Sequence, residues 1–140
     1  MKKITLLICL IASCFFAVAQ TTVDCSAGPM NNTYCYSNND TTSFIYVSSN
    51  GAKLQVTFNS GEVENNFDEL IILDTDGTEL YNGYGNGGDL AGLSFTSSGD
   101  TITVSITSDG VIGCDSGNTI DPWDYDVKCS TCTSPTATYA

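Results

Sequence analysis

Three stretches of this chain alternate apolar and polar residues one for one. Leu54, Val56 and Phe58 alternate with Lys53, Gln55 and Thr57; Ile102, Val104 and Ile106 with Thr101, Thr103 and Ser105; Trp123, Tyr125 and Val127 with Asp124, Asp126 and Lys128. A period of two cannot lay an apolar stripe along a helix, but it gives a strand one face for a core and one for water. Phe44 to Val47 and Leu70 to Leu73 are unbroken apolar runs, the pattern of more deeply buried strands. Thr78 to Tyr81 and Leu90 to Phe95 are shorter candidates. Turn dipeptides separate these runs: Asn50-Gly51, Asp76-Gly77, Asn82-Gly83, Gly87-Gly88, Gly99-Asp100 and Asp109-Gly110. Roughly seven short strands with such punctuation predict an all-β fold, an antiparallel β-sandwich.

Residues 1–19 lie outside that pattern. Lys2 and Lys3, the apolar run from Ile4 to Val18 and the small-x-small site Ala17-Val18-Ala19 before Gln20 read as a secretory signal peptide. Ile11-Ala12-Ser13-Cys14 offers an alternative, a lipobox that would anchor the chain through Cys14. Either way the domain is expected over 20–129, secreted or at the cell surface. A Ser/Thr/Pro linker follows over 130–140 and suggests a further domain beyond it. Cys25, Cys35, Cys114, Cys129 and Cys132 remain after cleavage, and in an exported chain they read as disulfides. The expected bridges are Cys25–Cys35, tying down the N-terminal segment, and Cys114–Cys129, closing a Gly/Asp-rich loop onto the last strand. Cys132 is left over.

Charge narrows the function. The chain has 16 acids, 4 bases and a net charge of −12, and two of its bases sit in the leader. Such a surface repels nucleic acid and anionic lipid, so neither is an expected partner. There is no His and no Arg, so no Ser-His-Asp or Cys-His triad can be assembled. The remaining catalytic scheme is a glycosidase-like acid pair, Glu62 or Glu64 opposite Asp68 or Asp109. It needs one carboxyl with a raised pKa in a partly apolar cleft, which nothing nearby announces. The chain is therefore expected not to be an enzyme.

Residues 60–77 concentrate the acids: Glu62, Glu64, Asp68, Glu69, Asp74 and Asp76 surround Leu70 to Leu73 with no base among them. Carboxylates crowded in this way suit a hard cation such as calcium, which takes six to eight oxygen ligands. Asp74-Thr-Asp-Gly77 by itself reads as an ordinary Asp-Gly turn. Tyr81 and Tyr84, in a glycine-rich loop, are candidate ligand-binding rings, and Trp123 reads as core.

The order of these motifs resembles CUB domains. Phe67-Asp68, then the apolar run, then Asp76-Gly77 is similar to the family's aromatic-Asp, apolar strand, Asp-Gly signature. Ser97-Ser98-Gly99 leads into the strand Thr101–Thr107 and then Ser108-Asp109, similar to the family's strand ending in Ser-Asp. The resemblance covers roughly residues 42–129. It implies a sandwich of CUB-like, jelly-roll type in a divergent bacterial module, and a structural calcium held by Asp68, Asp109 and either Glu62 or Glu64. The family's Cys before the aromatic-Asp pair is absent, and the Glu-to-Asp68 interval is short. The implied function is a non-catalytic recognition or adhesion module of a larger secreted protein, with an extracellular protein or glycan as partner. A carbohydrate-binding module that stacks sugars on Tyr81, Tyr84 or Trp123 is the alternative.

Overall fold

The computed structural model describes residues 19–117 and 119–130. The leader with Cys14, and the linker with Cys132, lie almost wholly outside the described residues. Among the described residues there are nine strands: β1 (Gln20–Val23), β2 (Met30–Tyr34), β3 (Ser43–Ser48), β4 (Leu54–Ser60), β5 (Glu69–Leu73), β6 (Glu79–Gly83), β7 (Ser94–Thr96), β8 (Thr101–Thr107) and β9 (Trp123–Cys129). One 3-10 turn, Cys114–Ser116, precedes β9. The strands form two sheets, one in the order β1-β3-β8-β5-β6 and the other β2-β9-β4-β7.

Every pairing is antiparallel except β1 with β3, which run parallel. β1 (QTTV) and β2 (MNNTY) carry too few apolar residues to show alternation, because each lies at the edge of its sheet. Of Leu90 to Phe95, only Ser94 and Phe95 join a strand, β7; Leu90 is instead a fully buried loop plug.

The alternating strands turn their apolar sides inward as patterned. Leu54, Val56 and Phe58 face Ile102, Val104 and Ile106 across the sandwich, and all are buried. Aromatic rings fill one region of this core. Phe58 stacks on Tyr125 at 5.2 Å, and the Trp123 ring lies 5.8 Å from both Tyr34 and Phe58 and 6.0 Å from Tyr36. Such pairs each add about 0.5–1.5 kcal/mol beyond area burial. The two unbroken apolar runs behave differently. Leu70 and Ile72 are fully buried, but Ile71 and Leu73 point to the outer side of the sheet and stay half-exposed, and so do Ile45 and Val47 on β3. Deep burial of these strands is met on one face only.

The expected pairing of Cys25 with Cys35 and of Cys114 with Cys129 is not the one that forms. The bridges are Cys25–Cys129 and Cys35–Cys114. Topology is the cause. Cys25 follows β1 at the end of the sandwich where β9 finishes; β2 then carries the chain to the opposite end, where Cys35 meets Cys114. The bridges span 104 and 79 residues, so on the chain-entropy model each is worth about 4.5–4.7 kcal/mol.

Candidate functional site

The connection from β4 to β5 leaves the sandwich at the end where Cys35 and Cys114 meet. Val63 anchors it in the core, and the Glu64 carbonyl accepts N–H bonds from Phe67 (3.2 Å) and Asp68 (3.0 Å). This single helical turn, with Asn66 at φ 70°, brings the Glu64 and Asp68 side chains together. The segment after β8 supplies the third acid: the Asp109 N–H donates to Asp68 Oδ1 at 2.8 Å. One carboxylate oxygen from each of Glu64, Asp68 and Asp109 then lies within 4.8 Å of the others. Glu62 is not among them. Its carboxylate accepts the Asp121 N–H at 3.2 Å and its carbonyl accepts the Trp123 Nε1–H at 2.9 Å, which commits it to the start of β9.

Tyr36 holds this cluster from below. The fully buried ring sends its hydroxyl proton to Asp68 Oδ2 at 2.8 Å, and its oxygen accepts the Glu64 N–H at 3.0 Å. Burial, reinforced by the Asp68 hydrogen bond, pushes the Tyr36 phenol far above its ordinary value, so it stays a donor. Asp68 is thus fully buried with one directed bond on each oxygen. Glu64 is left in a different state. Its Oε2 is buried and has no hydrogen-bond partner among the described residues. Burial first, then the charges of Asp109 and Asp68, raise its carboxyl above the usual range. Crowded, partly desolvated carboxylates of this kind favour either a proton or a cation.

The loop carrying Tyr36 is fastened to the loop carrying Asp109. Asn39 N–H donates to the Asp109 carbonyl at 2.6 Å, Ser108 N–H to the Asp40 carbonyl at 3.0 Å, and Asp115 N–H to the Tyr36 carbonyl at 3.1 Å. Asp40, itself buried, accepts from the Tyr34 hydroxyl at 2.5 Å, Ser37 N–H at 3.2 Å and Thr42 N–H at 2.9 Å, while its own N–H donates to Ser108 Oγ. The Cys35–Cys114 bridge closes the seam. Neither Tyr36 nor Asp40 stands out in the sequence. Tyr36-Ser-Asn-Asn-Asp40 has turn composition, and nothing local marks its ring as buried.

The other acids of 60–77 do not join the cluster. Asp74 accepts the N–H groups of Thr75 and Ser98, and Asp76 those of the Thr78 N–H and hydroxyl, which makes Asp74-Thr-Asp-Gly77 the hairpin turn between β5 and β6. Among the aromatics, Trp123 is fully buried and offers no platform for a sugar. Tyr81 packs on Phe95 at 5.0 Å, and its hydroxyl accepts the Gly85 N–H. Tyr84 keeps 37% of its surface exposed. At the acidic end, Phe67 and Val111, 63% and 68% exposed, adjoin Asp68 and follow Asp109 by two residues.

No protein-family model matches the chain, and no curated protein matches it. Solved structures do. The chain is similar to the CUB1-EGF-CUB2 domains of rat MASP-1, with 10% identity, a TM-score of 0.58 and coverage of 80% of this chain and 43% of that one. It is similar to the MASP-1 CUB2 domain bound to Ca2+, with 11% identity, a TM-score of 0.55 and coverage of 78% and 97%. It also matches the full extracellular region of zebrafish Gpr126/Adgrg6, with 15% identity, a TM-score of 0.57 and coverage of 79% and 15%. The chain spans less than half the length of the first and third of these. The shared property is the fold, a CUB-like β-sandwich.

Proposed function

We propose that this chain is a non-catalytic extracellular recognition or adhesion module, stabilised by calcium at Glu64, Asp68 and Asp109, within a larger secreted protein. The observation that carries this is the cluster itself: three carboxylates from two loops, held within 4.8 Å with no base beside them, one with a buried oxygen lacking any partner among the described residues. All the donors are hard oxygens, the set that calcium prefers, and backbone carbonyls and water complete such shells. Calcium, when bound, supplies the positive charge that this cluster lacks. The chain's own part is to hold the acids still. Tyr36 and the Asp109 N–H orient the Asp68 oxygens, and the helical turn of 64–68 sets Glu64 against them.

A catalytic acid pair fits poorly here, because Asp68 is fully buried and spends both oxygens on protein donors. Two long-range disulfides support an exported setting, and the partner is an extracellular protein or glycan. Exposed Phe67 and Val111 give the acidic end an apolar rim on which a partner can pack.

The test is a melting curve at constant ionic strength. Extracellular modules bind calcium with dissociation constants of ~10⁻⁴–10⁻³ M. At 100 times that constant, mass action stabilises the folded state by about 2.7 kcal/mol. Melting temperature should rise with calcium and fall with chelator. Asp109→Ala should abolish the response, and Asp74→Ala should keep it. A wild-type curve indifferent to calcium would overturn the proposal.

A further inference from the structure

Asn-Gly occurs three times in the chain, at Asn50-Gly51, Asn82-Gly83 and Asn86-Gly87. In each pair the glycine nitrogen can approach the carbonyl carbon of its neighbour's side chain, because glycine has no Cβ to obstruct the turn this requires. Local sequence does not rank the three. The fold does.

Asn82 and Gly83 lie in β6, held extended beside Ile71 and Leu70 of β5. Ring closure there requires the strand to leave its ladder. Asn86 is clasped by Asp89: its N–H donates to the Asp89 carbonyl at 2.8 Å, and its carbonyl accepts the Asp89 N–H at 3.3 Å. No described residue donates to its side-chain oxygen. Asn50 and Gly51 stand in the exposed turn between β3 and β4. The Gly51 N–H has no acceptor among the described residues, so this nitrogen is held by nothing. Asn50 Oδ1 accepts the Ala52 N–H at 3.1 Å. That donor points at the oxygen that gathers negative charge when a nucleophile attacks the amide carbon, as the donors of an oxyanion hole do.

We infer that Asn50 is a site of spontaneous covalent modification. The Gly51 nitrogen bonds to Asn50 Cγ, the Cγ–Nδ2 bond breaks, and ammonia leaves carrying the Gly51 amide proton. The product is a five-membered cyclic imide. Water then opens it at one carbonyl to aspartate or at the other to isoaspartate. Water is the only co-reactant. Both products add a carboxylate to a chain that already carries −12, three residues from Lys53. Isoaspartate also inserts one atom into the backbone of a turn pinned at both ends. Ser49 donates its N–H to the Val23 carbonyl at 2.9 Å and accepts the Cys25 N–H on Oγ at 3.1 Å, while the Lys53 carbonyl accepts the Ser130 N–H at 2.7 Å. The lengthened turn has to fit between these anchors, beside the Cys25–Cys129 bridge.

Peptide mapping of the full chain during incubation at mildly alkaline pH tests this. Mass spectrometry reads the exchange of an amide for an acid, and enzymatic methylation reads isoaspartate. Asn50 should lead, by more than ~10-fold over Asn82, whose reaction waits for local opening of β6. The reduced chain in denaturant supplies each pair with its own reference rate. Folding should leave Asn50 at or above that rate and slow Asn82 and Asn86 below theirs. Asn50→Gln should remove the leading product and leave the other two rates unchanged. Asn50 reacting more slowly folded than denatured, or Asn82 or Asn86 reacting ahead of it in the folded chain, overturns the inference.

Discussion

Tyr36→Phe removes one oxygen and unsettles two groups at once. In the wild type that oxygen accepts the Glu64 N–H at 3.0 Å and gives its proton to Asp68 Oδ2 at 2.8 Å. The ring stays, so core packing on Trp123 is kept and the change isolates the hydrogen bonds. A donor left without a partner costs about 1–3 kcal/mol, and a lost bond to a charged group about 1.5–3 kcal/mol. The variant should therefore be less stable by about 3–5 kcal/mol. At about 4 °C per kcal/mol for a domain of this size, the melting temperature should drop by roughly 12–20 °C. Calorimetry in chelator measures this directly, with Tyr84→Phe, an exposed ring, as a control expected to change stability by less than ~0.5 kcal/mol. Repeating it with calcium should show a smaller rise than in wild type, because Asp68 has lost one of its two orienting donors. A loss below ~1 kcal/mol for Tyr36→Phe would refute the assignment of this hydroxyl as the support of the acid cluster.

Non-reducing peptide mapping should recover Cys25–Cys129 and Cys35–Cys114, and a Cys25–Cys35 peptide would contradict the topology. Burial alone would raise the Asp40 carboxyl, but hydrogen bonds from Thr42, Tyr34 and Ser37 outweigh it and hold the group below its ordinary 3.8. Its contribution is thus present above 3.8 and lost as pH falls through the lower folded value. Asp40→Asn should destabilise at pH 7 by about 2–4 kcal/mol, and denaturant titrations should show that difference closing on acidification. Gly61 has φ 131°, and a Cβ there would stand 2.7 Å from Trp123 Cα. Gly61→Ala should cost more than ~2 kcal/mol, whereas Gly51→Ala, with nothing within 4 Å, should cost only the strain of its positive φ, about 1 kcal/mol.

What the sequence disclosed followed from periodicity. Strands β3, β4, β5, β8 and β9 alternate or run apolar strongly enough to be placed within a residue or two. Edge strands β1 and β2 escaped because half of their environment is solvent and their residues show it. Asp68 and Asp109 were legible through their motifs, but the choice between Glu62 and Glu64 needed the turn that Asn66 makes at positive φ. Tyr36 lies 32 residues from Asp68, and only the return of β2 alongside β9 brings its loop under the cluster. The disulfides failed for the same reason. Cys25 with Cys35 was expected to tie down the N-terminal segment, while β2 places the two at opposite ends of the sandwich.

The Cys25–Cys129 bridge also governs how the domain bears load. It joins the residue just after β1 to the last residue of β9, with 104 positions of sequence separation between them. Tension applied through the chain before Cys25 and after Cys129 passes from one to the other across the sulfur atoms. The loop between them, holding β2 through β9 and the acid cluster, is shunted out of the line of force. With the bridge intact, a pulled domain can lengthen only by peeling β1 and the residues outside the pair. With it reduced and Cys35–Cys114 intact, the same pull could release only the 25 residues by which the two bridges' separations of 104 and 79 differ, about 85 Å of chain at ~3.4 Å per residue. A domain built this way transmits tension as a short inextensible link while the end that holds the acid cluster remains folded.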